Sequence, residues 1–533
     1  MNWASLCKPH TPLKPCNALT LQRFTPLPPR PAIFSALTAE PLDLLIIGGG
    51  IVGSGIARDA AMRGLRVGLV EQHDFAFGTS SRSSRLLHGG LRYLAQGRVG
   101  LVREASVEKK VIHEIAPHLA QPLPFIFPTY RTNRNWVLWQ LKIGVKIYDL
   151  LCSGRNLGQS TWLSREKVRQ AVPGLTSEGL TGAVRYYDGF TNDARLTLDT
   201  LRSAARNGAM VANYCRFKDA RRTGLWQCEL EDLHAGRALA VHAQAVVNAT
   251  GPWAQGLPHS RVKLRLTKGI HLVVEQTRVP VTDTVVMTEG KRILFAIPWG
   301  ERTILGTTDT DYDGPVDAVL ADATDIRYVL GVTNQFFPQA RLAESDVISA
   351  WAGLRPLVAD PSGRPSDISR SHEIHNPEPG WWDVAGGKLT TYRLMAEQTV
   401  DGVVGALKQL NGFKREMSQC RTAREPLLAS PADGRFSGIL PPPADRAAVE
   451  HYCADEWALH LDDVMLRRAG WHYYDRNAAN LAERVADWMA ELLGWTPAQR
   501  EVELARYALA RGTGVAPVSP ISLKPPAANA LIA

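Results

Sequence analysis

The sequence predicts an α/β protein that carries a small all-α domain toward its C-terminal end. Three observations carry the prediction. A strand, a glycine loop, a helix, a second strand and an acid follow one another between residues 42 and 71. Apolar strand-like runs then alternate with helical patterns across residues 41–420. Beyond residue 446 only helical patterns remain.

Composition bounds the answer without choosing a function. The chain has 533 residues, 45% of them hydrophobic and 21% charged. That is enough for several domains and excludes a disordered chain, a collagen-like repeat or a small disulfide scaffold. The formal charge of +9 permits a phosphate ligand, a lipid surface or nucleic acid. No basic block with interleaved aromatics is present, so nucleic acid is not expected as a partner. The seven cysteines are scattered and form no C-x-x-C, which fits a reducing compartment better than a disulfide framework or a zinc site. His372 and His375 would fall on opposite faces of a strand, so no metal is expected. No apolar run approaches the ~18 residues of a spanning helix.

Residues 1–40 hold seven prolines and read as a disordered leader, or as a start placed too early. The run at 42–47 ends in a G-x-G-x-x-G loop at Gly48, Gly50 and Gly53. Gly48 permits a tight turn, Gly50 a close backbone approach to a pyrophosphate, and Gly53 close helix–strand packing. The helix start offers free N–H groups to phosphates. Glu71, at the end of the second strand, can accept hydrogen bonds from a ribose and would repel a 2′-phosphate. The site therefore expects a dinucleotide other than NADP. Further glycine turns follow at 249–253, 306–309 and 386–391, the last opening a helix over 390–404. One loop suffices for NAD. Several loops along one chain suit the longer FAD.

Six segments, 78–94, 248–253, 268–271, 306–309, 353–357 and 386–393, together resemble the FAD-dependent, respiratory-type glycerol-3-phosphate dehydrogenases in kind, order and spacing. The resemblance spans about residues 41–415. It implies a flavin domain of the glutathione-reductase/D-amino-acid-oxidase type with an interleaved substrate domain. It also implies oxidation of glycerol 3-phosphate to dihydroxyacetone phosphate, with electrons passed to a membrane quinone. A cytoplasmic enzyme attached peripherally to the inner face of the membrane is the matching expectation. Oxygen as acceptor, or an amine oxidase of the same fold, are the alternatives.

The candidate residues follow from that chemistry. A phosphomonoester needs fork-shaped cations, and the resemblance places Arg92 and Arg370 in the substrate pocket. Arg355, between apolar neighbours, should be half-buried with an anionic partner; by resemblance it faces the substrate oxygen. Lys388, in the first turn of a helix where the dipole disfavours a cation, needs a nearby anion. His271 is the candidate general base, with a satisfied core histidine as the other reading. Thr79, Ser80, Ser81, Thr308 and Asp309 are candidates for the diphosphate or ribityl chain, and His88 for the isoalloxazine. Gly90, Leu91, Ala249, Gly251, Gly387, Leu389 and Thr390 complete the expected cofactor contacts. Arg82 and Arg85, set among serines, read as a loop closing over the flavin.

Residues 135–151 read as a helix with tryptophans and lysines, suited to an anionic membrane surface; a buried helix with one wet stripe is the alternative. Residues 421–446, with three consecutive prolines, read as a linker. Residues 447–511 then form the helical domain, and 512–533 a tail. In this domain Thr496, Pro497 and Gln499 form a helix-start signal. Its residues could not be matched to the family, so a homodimer is left open.

Overall fold

Every residue of the strand Leu42–Ile47 is buried, as the middle strand of a parallel sheet must be. A computed structural model describes residues 27–513, apart from 91–93, 95–96, 134, 152–156, 359–371, 411–412 and 414. Around Leu42–Ile47 an eight-stranded sheet runs in the order His372–Glu378, Trp381–Gly386, Arg237–Asn248, Leu42–Ile47, Val67–Val70, Met210–Ala212. All neighbours from Trp381–Gly386 to Met210–Ala212 are parallel. His372–Glu378 closes one edge in antiparallel register. The antiparallel pair Cys215–Thr223 and Leu225–Asp232 extends from Arg237–Asn248.

The helix Ile51–Met62 covers this sheet and packs on the helices Asp193–Arg206 and Tyr392–Lys408. Sequence-distant pieces thus share one core, from Leu44 and Ile46 to Val400 and Val403. A second, ten-stranded and largely antiparallel sheet holds Leu264–Glu275, which pairs with Arg302–Gly306 on one side and with Ser349–Val358 on the other. The strands of the two sheets are interleaved along the chain.

Two boundaries differ from the sequence reading. The presumed leader does not reach residue 40. Arg30–Ala39 is a helix that buries Ile33, Phe34 and Leu37 against the first sheet. Pro31 sits in its first turn, where proline costs no hydrogen bond. Arg30 reaches Asp232 at 2.7 Å and the carbonyl of Asn213 at 2.7 Å. The presumed linker is also packed: Leu427, Leu428, Phe436 and Ile439 are buried.

The C-terminal helices appear near their expected places, as Arg446–Asp455, Asp463–Arg468, Trp471–Tyr474, Ala478–Leu493 and Pro497–Thr513. Thr496 and Gln499 exchange the two bonds of a capping box, at 3.2 and 2.8 Å. This unit is fixed to the first sheet by buried charge. Arg468 donates two hydrogen bonds to Asp74, and Arg467 a third. Arg195 forks onto Glu456. Tyr214 donates to Asp463 at 2.6 Å. Burial alone would raise the Asp74 carboxyl; Arg468 and Arg467 outweigh it and hold it below its usual value. Removing one partner of such a pair strands a charge in the interior. Arg468→Met is expected to lower stability by about 3–5 kcal/mol, read by urea unfolding. An unchanged midpoint would show that the clamp contributes nothing net.

Candidate active site

The glycine loop follows from backbone crowding. Gly48 has φ +110°, and a Cβ there would lie 2.6 Å from the carbonyl oxygen of Ala249, at the end of the neighbouring strand. A Cβ on Gly53 would lie 2.0 Å from the oxygen of Gly48. Neither position admits a side chain. Glu71 locks the loop by accepting from the N–H groups of Gly49 and His73, each at 2.8 Å. Burial raises its pKa, and those backbone donors pull it back. Its remaining lone pairs border the cavity, where a ribose could use them.

A cavity of about 1060 Å³ runs from this loop across both sheets. Its first end is lined by His73, Phe77 and Trp253, with His73 stacked on Phe77 at 4.0 Å. Burial, with Arg467 nearby, pushes His73 down to about 3, so this wall is uncharged at neutral pH. Sequence reasoning missed His73 and Phe77, because no motif spacing marks them; Trp253 closes the segment 248–253 but was given no role of its own. Thr79 ties the next loop to the carbonyl of Leu354 at 2.6 Å. Ser80 caps the helix start by accepting from the N–H of Ile51 at 2.9 Å. Both line the cavity. Ser81 does not: it is buried beside the loop, with its hydroxyl turned to Gly78. Of the three hydroxyl residues expected at the cofactor, Ser81 is thus the one whose side chain does not border the cavity.

Further along, the cavity is lined by His88, Gly90, Ala249, Gly251, Gly387, Leu389 and Thr390, which brings these candidate cofactor contacts onto one surface. Thr390 joins this wall to the next, accepting from the N–H of His88 at 3.0 Å. Lys388 also lines it, but as the residue preceding a short 3-10 turn, Leu389–Thr391, with the α-helix beginning only at Tyr392. The dipole conflict expected for a first-turn lysine is thereby relaxed. Leu91, Arg92 and Arg370 lie outside the described residues.

The second sheet supplies the opposite wall. His271 is 2% exposed on Leu264–Glu275 and lines the cavity. Its ring stacks on Trp351 at 5.1 Å, and its Nε2 pairs with the hydroxyl of Ser84 at 2.8 Å. Its Nδ1 has no hydrogen-bond partner among the described residues. Burial, then Arg355 and Arg85, push its pKa well below the usual imidazole value. Arg355 is half-buried, as expected, and its anionic partner is Asp309 at 3.2 Å. It also donates to the Thr307 hydroxyl at 3.0 Å and the Thr308 carbonyl at 3.1 Å. The Thr308 hydroxyl accepts from the N–H of Ile270 at 3.1 Å. Thr308 and Asp309 thus hold the second wall together while bordering the cavity. Gly269 makes room for the guanidinium, since a Cβ there would lie 2.3 Å from its Nη2. Arg82 lines the cavity; Arg85 does not, which corrects its reading as a lid over the flavin. Among the described residues no cluster of three or more metal-ligating side chains occurs.

These residues suit FAD on structural grounds. A Cβ-free cradle leaves room for a diphosphate, the Glu71 carboxylate beside it could accept from a ribose, and the cavity continues well beyond both. Comparison with known proteins agrees. Residues 43–401 match the family of FAD-dependent oxidoreductases, and residues 440–500 the C-terminal domain of alpha-glycerophosphate oxidase. The second match accounts for the helical unit that the sequence reading left unassigned. Glycerol-3-phosphate dehydrogenase 2 of Mycobacterium tuberculosis is 36% identical over 531 residues, 90% of this chain and 89% of that one. The aerobic glycerol-3-phosphate dehydrogenase of Staphylococcus epidermidis is 38% identical over 384 residues, 70% of this chain and 69% of that one. Among solved structures, the glycerol-3-phosphate dehydrogenase of Bacillus halodurans complexed with FAD has a TM-score of 0.72 at 28% identity, covering 92% of this chain and 98% of its own. Gly269→Ala should displace Arg355 with little effect on folding and slow turnover by about 10²-fold. Unchanged turnover would show that the guanidinium position is not needed.

Proposed function

Because the chain belongs to the family of FAD-dependent glycerol-3-phosphate dehydrogenases, we propose that it oxidises sn-glycerol 3-phosphate to dihydroxyacetone phosphate and passes the electrons to a membrane quinone. The observation that supports the reading is the presence of His271, Arg355 and Lys388 on one cavity beside a dinucleotide cradle. FAD, when bound, supplies the acceptor for the hydride that leaves C2. His271 stays neutral in the free protein and takes the C2 hydroxyl proton at Nε2, where the Ser84 hydroxyl is an exchangeable partner. Arg355, braced by Thr307, Thr308 and Asp309, stabilises the charge that builds on the C2 oxygen. Lys388 favours negative charge in the cavity, with Arg92 and Arg370 proposed for the phosphate. Arg355→Met should slow reduction of the bound flavin by ~10² or more; an unchanged rate at saturating substrate would remove it from the catalytic set.

A membrane contact belongs to the same reading. The helix Leu138–Leu151 buries Leu141, Val145 and Tyr148 and turns the opposite stripe outward. That stripe is apolar: Trp139 is 59% exposed and Leu150 76%, with Ile143 and Ile147 between them. A buried helix with a wet stripe does not describe it. Trp136 is not part of the stripe, because it packs on Phe127 at 5.1 Å and lines the cavity. Lys142 lies beside the stripe, over the exposed Trp162 at 4.1 Å. Apolar side chains flanked by lysines suit the boundary of an anionic bilayer. No helix among the described residues is long and apolar enough to cross a membrane.

The experiment is an anaerobic one. Glycerol 3-phosphate should bleach the flavin and glycine should not, and a short-chain ubiquinone should restore the colour faster than oxygen does. Bleaching by glycine alone would favour an amine oxidase, and faster recovery with oxygen an oxidase. In a flotation assay with anionic vesicles, Trp139→Ser together with Leu150→Ser should weaken binding. Undiminished flotation would assign the contact elsewhere.

A further inference from the structure

Arg85 stands out among the buried side chains. It is 3% exposed, and its backbone is left-handed at φ 56°, a conformation that a non-glycine residue adopts only when its surroundings impose it. The surroundings are visible. Ser83 donates its N–H to Asp193 at 2.8 Å, and Trp351 donates its indole N–H to the carbonyl of Ser83 at 3.2 Å. The N–H of Thr191 donates to the carbonyl of Arg85 at 2.9 Å. The guanidinium then lies against Trp299 at 4.3 Å, Trp351 at 5.1 Å and Tyr473 at 5.9 Å. Asp193 stands off at 4.0 Å, and among the described residues the Nε and Nη1 of Arg85 have no hydrogen-bond partner. A cation buried this way is held by aromatic faces more than by an anion.

Trp351 is the shared neighbour of Arg85 and His271, and the residue before Arg85 is the Ser84 that pairs with His271. We propose that Arg85 is a positioning residue for His271: acting across Trp351, its under-neutralised charge keeps the imidazole from taking a solvent proton, so that its lone pair stays available for the proton of the substrate hydroxyl. The inference rests on His271 being the base. The groups that set its charge are few. Arg355 reaches it from the adjoining strand with Asp309 attached. Arg85 reaches it from the serine loop with Asp193 at a distance. Tyr473 packs on Trp351 at 5.3 Å, and Lys388 lines the same cavity. In the free protein the two arginines oppose an imidazolium, as does burial.

The test is the pH profile of anaerobic flavin reduction by glycerol 3-phosphate at limiting substrate, which reports the free holoenzyme. The profile should fall on its acidic side as His271 becomes protonated. Removing the positive charge with Arg85→Gln should move that limb to higher pH, by about one pH unit for a tenfold change in proton affinity. Asp193→Asn leaves Arg85 less neutralised and should move the limb the other way. Arg85→Lys should restore much of the original profile. A purely structural role would lower the melting temperature of all three without opposite displacements. An unmoved limb in both Arg85→Gln and Asp193→Asn overturns the proposal while leaving His271 as base. A limb that persists in His271→Asn overturns the base assignment itself, and the proposal with it.

Discussion

The structure depends on one close approach of backbone to backbone. Gly48 lies against the carbonyl of Ala249, and Gly53 against the carbonyl of Gly48, at separations that leave no space for a methyl group. These contacts bring the first helix down onto the first strand and press the ends of two strands, about two hundred residues apart, into one edge. The cofactor cradle is that edge. Glu71 fixes the loop from the next strand, and Asp74, three residues on, is where Arg467 and Arg468 attach the helical unit. The C-terminal domain is therefore anchored at the dinucleotide end of the cavity.

The wall that carries His271 and Arg355 is built by the second sheet on a different principle. Its polar groups are crowded together and constrain one another. Gly269 lacks a side chain so that Arg355 can lie across it, and Thr307, Thr308 and Asp309 grip the guanidinium. His271 is held by a serine at its edge and an indole against its face. Groups held this tightly cost little reorganisation when charge develops beside them, which is where electrostatic catalysis obtains most of its effect.

How much of this was legible in the sequence depends on how local the physics is. The glycine loop, Glu71 and the cap at Thr496 were readable because their partners lie within a turn or one βαβ unit. The half-buried state of Arg355 was readable from its apolar neighbours, although its partner Asp309 was not. The helix Arg30–Ala39 was missed because prolines were counted as breakers, whereas Pro31 in a first turn is permitted. That Ser81 and Trp136 turn inward was not legible, because a hydroxyl or an indole reads alike in sequence whichever way the fold turns it. The clamp on Asp74 links residues nearly four hundred positions apart, and no composition or spacing signals such a pairing. The role of His271 was drawn from a family resemblance; its neighbours alone would equally describe a core histidine.

The central claim is that the cavity removes hydride from C2 of a phosphorylated glycerol and that its cations require the phosphate. Rapid-mixing reduction of the FAD-loaded protein by glycerol 3-phosphate, by the same compound deuterated at C2, and by glycerol tests it directly. The account predicts fast bleaching with the first, clearly slower bleaching with the second, and almost none with the third. Equal rates for the first two, together with glycerol serving as well as its phosphate, would contradict it.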